Sequence, residues 1–203
     1  MPENDQPLDE LVVHPKEIKG SWDEGYVLDL HTISSTFIGY NEFGHPEFDT
    51  QRSPLGELIY RLKYKGDKST IAVIVQTVVT FLRGRAMQPE IVVPMPPSKA
   101  QRAYQPVVEI ASALRDAIGI GLNIECLSKA TATAQMKDIG DFAERVKVLE
   151  TALAADRQLE GKRVLLIDDL LQSGASMNVA ARKLKEQGNV RTVYAIALTR
   201  TRG

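Results

Sequence analysis

Hydrophobic residues recur along the second half of the chain in two alternating patterns. Short β-branched runs predict buried strands of a parallel sheet, and longer stretches with apolar residues at helical spacing predict helices between them. The predicted strands are 91–93, 122–127, 164–167 and 190–198, and the predicted helices are 107–118, 142–155 and 175–187. This order of strands and helices predicts an α/β fold, with a doubly wound, mostly parallel sheet flanked by helices.

The first part of the chain has a different pattern, which predicts a small N-terminal α+β appendage. Residues 26–40 carry β-branched and aromatic residues at the density of a strand, and turn residues follow at 41–46, so a hairpin is expected. Ser53 and Pro54 are typical of a helix start, with serine as the N-cap and proline at the first helical position. Apolar residues continue at helical spacing over 55–62.

These patterns divide the chain into three parts. A polar, flexible leader is predicted at residues 1–20, the appendage at 21–68 and the α/β core at 69–203. The core opens with a buried helix at about 69–83. A chain of 203 residues suits one large domain or a domain with an appendage.

Composition and charge narrow the classes of function. The formal charge of −1 at pH 7 gives no global attraction to nucleic acid or to a membrane surface. Cys126 is the single cysteine, so an internal disulfide and a cysteine-cluster zinc site are excluded. The N-terminus is acidic, and the longest apolar run, 71–82, is too short to span a membrane. The sequence therefore indicates a soluble, cytoplasmic protein.

The segment 164–176, with the sequence VLLIDDLLQSGAS, combines three features of a ligand site. An apolar strand ends in two carboxylates, Asp168 and Asp169, at the edge where open α/β sheets bind ligands. A short loop with a glycine and two hydroxyls follows, and a helix begins within it. Helix N-termini attract phosphate, and Gly174 lets the backbone approach it closely. Carboxylates repel phosphate but accept hydrogen bonds from hydroxyl groups, as a ribose diol requires.

Simpler interpretations account for each feature separately. The aspartates could cap a buried strand, and Ser173 could cap the helix. A Walker-type phosphate loop would need a lysine after the glycine, whereas Ala175 follows Gly174. The three features together predict a site for a ribose phosphate.

The same segment resembles the signature with which type I phosphoribosyltransferases bind 5-phosphoribosyl-1-pyrophosphate (PRPP). The resemblance implies that Asp168 and Asp169 contact the ribose hydroxyls and form the catalytic pair. It also implies a group of residues that hold the 5-phosphate, namely Gln172, Ser173, Gly174, Ala175 and Ser176. Mg²⁺ is then expected as a cofactor that arrives with the pyrophosphate, without metal ligands of the chain's own.

Three further segments resemble the ComF branch of this superfamily, which is associated with competence. Residues 52–67 are similar to the segment before its core, 91–106 to its pyrophosphate loop, and 129–148 to its hood loop. The resemblance implies two more groups of site residues. The pyrophosphate-binding residues would be Pro96, Pro97, Ser98, Lys99 and Arg102, and the hood-loop residues would be Lys129, Gln135 and Arg145.

The chain also departs from the ComF pattern. The first fifty residues do not match the cysteine-rich zinc module of many ComF-type proteins. The loop residues 103–105 stand where more arginine and a glycine–asparagine pair are usual. Purine-salvage relatives carry an acid at the position of Gln172, and a neutral amide cannot serve as that general base. Activity on hypoxanthine or guanine is therefore disfavoured.

Two functions stay open at this point. The first is an enzyme that transfers phosphoribosyl between PRPP and an unidentified base or nucleotide, with pyrophosphate as leaving group. The alternative is a non-catalytic module that senses PRPP or a nucleotide and supports DNA uptake, competence or regulation.

Binding partners are predicted from fewer sequence features. The sequence leaves a homodimer open, and it predicts no contact with a membrane. Direct contact with nucleic acid is disfavoured, because the basic cluster at 61–68 is interpreted as a solvated helix end. That cluster consists of Arg61, Lys63, Lys65 and Lys68, with Tyr64 among them.

Overall fold

The computed structural model describes residues 11–97, 104–129 and 142–202. Within these ranges the strands are β1 (Lys16–Glu17), β2 (Glu24–Leu30), β3 (Thr32–Tyr40), β4 (Pro46–Arg52), β5 (Ile91–Pro94), β6 (Gly121–Leu122), β7 (Leu127–Lys129), β8 (Leu153–Ala155), β9 (Arg163–Leu171) and β10 (Thr192–Arg200). The helices are α1 (Pro54–Tyr60), α2 (Thr70–Arg83), α3 (Pro106–Ile118), α4 (Phe142–Ala152) and α5 (Ala175–Glu186). One π-helical turn, Arg61–Lys65, continues α1.

The central sheet has the strand order β1-β2-β10-β9-β5-β6. Its neighbouring strands are parallel, except that β1 pairs with β2 in the antiparallel direction. The chain passes from β5 through α3 to β6 on one side of the sheet, and from β9 through α5 to β10 on the other. The fold is therefore α/β with a doubly wound, mostly parallel sheet, which confirms the predicted class.

Strand β9 shows why two layers of helices cover the sheet. Its residues 164–167 are all fully buried, and successive side chains point to opposite faces. Leu165 and Ile167 pack with α1, α2 and α3, whereas Val164 and Leu166 pack with α4 and α5. A strand that is buried on both faces needs a continuous apolar run, which is the pattern that predicted it.

Parts of the predicted leader and appendage belong to the central sheet. Within the leader, 16–17 forms the edge strand β1, and β2 inserts Val27 and Leu28 into the cores on the two faces. The expected hairpin is present as the antiparallel pair β3–β4. The expected helix start is also confirmed, since the Ser53 side chain accepts a hydrogen bond from the Gly56 N–H at 3.0 Å.

Two predicted boundaries are wrong, for local reasons. The strand expected at 122–127 is interrupted because the Asn123 side chain accepts hydrogen bonds from the N–H groups of Glu125 and Cys126, at 2.9 and 2.8 Å. These bonds form a bend between β6 and β7. The helix expected to reach residue 155 ends at Ala152, because the next three residues pair with β7 as strand β8.

Candidate functional site

The carboxyl ends of β5 and β9 lie where the sheet changes its winding direction. These two strands are neighbours, but β5 leads outward to β6 and β9 leads outward to β10. Open α/β sheets bind ligands in the crevice at such a switch point. The aspartate pair and the loop 172–174 follow the buried part of β9 here, and Pro96 and Pro97 follow β5.

Strand β9 does not end at the aspartates, as its sequence pattern suggested, but continues to Leu171. The ladder between β9 and β10 extends this far and pairs Leu171 with Arg200. Because side chains alternate along a strand, Asp169 lies on the face covered by α1, α2 and α3, and Asp168 lies on the face covered by α4 and α5. The pair therefore presents its carboxylates on two sides of one strand.

Asp169 is 7% exposed and has two close neighbours. Its Oδ2 accepts a hydrogen bond from Lys63 Nζ at 2.7 Å, which makes an ion pair with the π-helical turn after α1. Its main-chain carbonyl accepts a hydrogen bond from Thr199 Oγ1 at 2.9 Å. The interpretation of Lys63 as part of a solvated helix end is therefore wrong. The two partners are 106 positions apart in the chain, so no local pattern predicts their contact.

Asp168 is half-buried and has different surroundings. Its Oδ1 accepts a hydrogen bond from the Asp169 N–H at 2.9 Å. Burial, and after it the neighbouring Asp169 carboxylate, raises the pKa of Asp168 to about 7, while Lys63 and Lys129 oppose this rise. Burial also lowers the pKa of Lys129, against the opposing effect of Asp168. Asp168 therefore exchanges a proton near neutral pH.

The loop after β9 enters α5 through a left-handed glycine. Gly174 has a φ of 76°, a conformation that residues with a Cβ adopt at a cost. Ser173 Oγ accepts a hydrogen bond from the Ala175 N–H at 3.4 Å, and the Asn178 N–H donates to the Gly174 carbonyl at 2.9 Å. The first-turn N–H groups of α5 thus face the switch point with the positive end of the helix dipole.

Two side chains without a recognisable motif flank the same edge of the sheet. His31 Nδ1 lies 3.1 Å from Thr199 Oγ1, and the His31 N–H donates to the Arg200 carbonyl at 2.8 Å. Burial, together with the guanidinium of Arg52, lowers the pKa of His31. A neutral imidazole at this position belongs to the hydrogen-bond chain that ends at the carbonyl of Asp169.

The structure brings together only some of the residues expected from the family resemblance. Pro96 and Pro97 lie in the loop just after β5, Lys129 lies within electrostatic reach of Asp168, and Arg145 falls within α4. In the loop, Gln172 and Ser173 are exposed and Ser176 is half-buried. Four expected residues lie outside the described ranges, namely Ser98, Lys99, Arg102 and Gln135.

The described ranges hold neither a cluster of metal ligands nor a membrane-spanning helix. No group of three or more His, Cys, Asp and Glu residues there is placed to hold a metal ion. Mg²⁺ commonly binds through one or two carboxylates together with waters and substrate phosphates, so an ion that arrives with pyrophosphate needs no such group. No helix within these ranges is both long and apolar enough to cross a bilayer.

Comparison with known proteins finds similarity in three-dimensional structure. No family model and no curated protein matches the chain. UMP synthase from Leishmania donovani is 17% identical with a TM-score of 0.40, over 79% of this chain and 28% of that one. Glutamine PRPP amidotransferase from B. subtilis is 19% identical with a TM-score of 0.49, over 77% and 34%. Adenine phosphoribosyltransferase from Leishmania tarentolae is 13% identical with a TM-score of 0.47, over 92% and 94%.

These similarities do not carry an activity across to this chain. The chain spans 28% and 34% of the first two proteins, so most of each has no counterpart here. All three identities are below 20% and all three TM-scores are below 0.5. The ComF branch stays a prediction, and function has to be derived from the residues of the site.

Proposed function

We propose that this protein is a phosphoribosyltransferase, which binds PRPP with Mg²⁺ and transfers the phosphoribosyl group to or from a nitrogenous base. One observation carries the proposal. At the switch point of the sheet, β9 carries two adjacent carboxylates. Within five residues the chain reaches Gly174, which caps the N-terminus of α5. A ribose 5-phosphate needs both kinds of hydrogen-bonding group, because its hydroxyls require acceptors and its phosphate requires donors.

The proposed placement of the ligand follows from these hydrogen-bond acceptors and donors. The 5-phosphate would accept hydrogen bonds from the first-turn N–H groups of α5 and from the hydroxyls of Ser173 and Ser176. The ribose hydroxyls would donate to the carboxylates of Asp168 and Asp169. The pyrophosphate would lie over the loop that follows β5, opposite Lys129, and Mg²⁺ would enter with it and neutralise part of its charge.

The proposed reaction replaces one bond at the anomeric carbon of the ribose. The bond from this carbon to the pyrophosphate oxygen breaks, its electron pair leaves with the pyrophosphate, and a base nitrogen bonds to the same carbon. Positive charge develops on the ribose ring during the exchange, and the nearby carboxylates stabilise it. The proton released by the base goes to the departing pyrophosphate or to solvent water, since Gln172 is an amide and is not a base at neutral pH.

Calorimetric titration with PRPP and Mg²⁺ tests this proposal. Wild-type protein should bind, and Asp169→Asn should bind about ten to a hundred times more weakly, because a charge-assisted hydrogen bond is lost. Asp116→Asn serves as a matched control, since Asp116 is an exposed aspartate paired with Arg115. Absence of binding by the wild type, or equal binding by Asp169→Asn, would contradict the proposal.

One observation favours the alternative of a sensing module. The pyrophosphate loop departs from the ComF pattern, since residues 103–105 stand where more arginine and a glycine–asparagine pair are usual. A module that senses PRPP or a nucleotide, in competence or regulation, needs only the binding half of the site. Pyrophosphate release measured over a panel of bases separates the two functions: turnover with any base supports the enzyme, and binding without turnover supports the sensor.

A further inference from the structure

We propose that Lys63 is a positioning residue of this site, which fixes the carboxylate of Asp169 through its ion pair and sets the charge shared by the two aspartates. The inference deepens the proposed function and rests on it for its consequence in ligand binding. Lys63 lies outside the strand–loop–helix segment, and its contact with that segment is purely tertiary.

The backbone around Lys63 is held so that its side chain points toward the sheet. The preceding residue, Leu62, is completely buried with α1 and α2. The π-helical turn ends at Gly66, whose φ of 67° is in the left-handed region. Arg61 Nε donates to Asp67 Oδ2 at 3.0 Å across the same turn. Such π-helical turns frequently occur at functional sites, where they redirect a side chain.

Lys63 differs from the other lysines of its cluster in where its charge lies. Its side chain is 21% exposed and that of Asp169 is 10% exposed. Lys65 is exposed, and Lys68 pairs with Glu109 at 3.3 Å while remaining 60% exposed. A buried carboxylate requires a partner, and removing that partner is far more costly than removing one of an exposed pair. Among these three lysines, Lys63 alone therefore forms an ion pair of consequence.

The charged groups that face the aspartate pair come from several elements. Lys63 approaches from the turn after α1, Lys129 from β7, and the imidazole of His31 from the end of β2. Lys63 and Lys129 both hold down the pKa of Asp168, which burial and Asp169 raise to about 7. If Lys63 loses its charge, one opposing cation is gone, so the pKa of Asp168 must rise further.

This charge balance has a consequence for ligand binding. An ionised carboxylate accepts hydrogen bonds from ribose hydroxyls at both oxygens, whereas a protonated one has less accepting capacity. Affinity for PRPP should therefore increase as pH rises through the titration of Asp168. Loss of the Lys63 charge should move this increase to higher pH by about one unit, the lower end of the effect of an opposite charge, because Lys63 pairs with Asp169 and not with Asp168.

The decisive experiment follows the Asp168 carboxyl carbon by ¹³C NMR as a function of pH. Lys63→Gln keeps a hydrogen-bond donor toward Asp169 but removes the charge, and its Asp168 midpoint should rise. Lys63→Arg keeps the charge, and Lys65→Gln removes a charge from the exposed side of the same turn, so both should titrate like the wild type. An unchanged midpoint in Lys63→Gln, or an equal rise in Lys63→Arg and Lys63→Gln, would overturn the inference.

Calorimetric titration of the same proteins with PRPP and Mg²⁺ between pH 6 and 9 gives a second readout. At pH 7, Lys63→Gln should bind about fivefold more weakly than wild type, and the deficit should shrink at high pH. If no protein binds PRPP, the proposed function fails, while the NMR titration still decides the role of Lys63. If wild type and Lys63→Gln bind with the same affinity and pH dependence, the inference fails and the proposed function stands.

Discussion

Two adjacent aspartates of one strand lie in different electrostatic surroundings. Asp169 is nearly buried and paired with Lys63 at 2.7 Å. Asp168, on the other face of β9, has a pKa near 7 because of burial and the neighbouring carboxylate. One member of the pair is thus fixed by an ion pair, and the other responds to pH. This division follows from the alternation of side chains along a strand that continues past both residues.

The raised pKa of Asp168 predicts a specific pH dependence of stability. Between its ordinary value of 3.8 and about 7, the folded protein holds a proton that the unfolded chain releases, so stability falls as pH rises through this window. Asp168→Asn removes the titration. The stability of this variant relative to wild type should therefore be greater at pH 8 than at pH 5, by about 2–3 kcal/mol.

Urea denaturation at the two pH values measures this difference, and Asp116→Asn provides the control at an exposed aspartate. The assignment of the pKa to Asp168 would be contradicted if Asp168→Asn and wild type responded to pH identically.

At the scale of elements, the site depends on how β9 passes into α5. The left-handed conformation of Gly174 turns the chain so that the first turn of the helix faces the ends of the strands. A Cβ at this position would meet only Leu171 Cδ1, at 3.7 Å, which is an ordinary contact. The requirement for glycine is therefore conformational and does not arise from lack of space.

Replacement of Gly174 tests this conformational requirement. Gly174→Ala should lower the free energy of unfolding by about 1–2 kcal/mol, whereas Gly174→Asn should cost less, because asparagine tolerates the left-handed region. Gly84→Ala is the control, since Gly84 has a φ of −82° and a Cβ there would meet only the Phe81 carbonyl oxygen, at 3.6 Å, which is an ordinary contact. Urea unfolding at one pH compares the three variants. Equal stability of Gly174→Ala and wild type would show that the turn relaxes without cost.

The sequence predicts the secondary-structure elements better than it predicts the residues of the candidate site. The run 164–167 predicts β9 because it is buried on both faces, and Ser53 with Pro54 predicts the start of α1. The end of β9 is missed because two aspartates interrupt the apolar pattern while backbone pairing with β10 continues. Lys63 is missed because its partner is distant in sequence and its neighbours Lys65 and Lys68 are exposed.

At the scale of the whole molecule, the winding of the sheet brings these pieces to one edge. The connections that leave β5 and β9 run to opposite sides of the sheet at the switch point, and β10 and the residue after β2 place Thr199 and His31 beside it. The part of the chain before residue 69 takes part as well, since it supplies both β2 and the turn that carries Lys63. With a net charge of −1, any attraction to a phosphorylated ligand would have to come from this local arrangement.

A crystal structure determined after soaking with PRPP and Mg²⁺ tests the central claim most directly. Density for a phosphate within hydrogen-bond distance of the N–H groups of residues 174–176, with ribose hydroxyls at the carboxylates of Asp168 and Asp169, is the predicted result. Density for the ligand elsewhere on the protein, or no density at the helix N-terminus at saturating PRPP, would contradict the account.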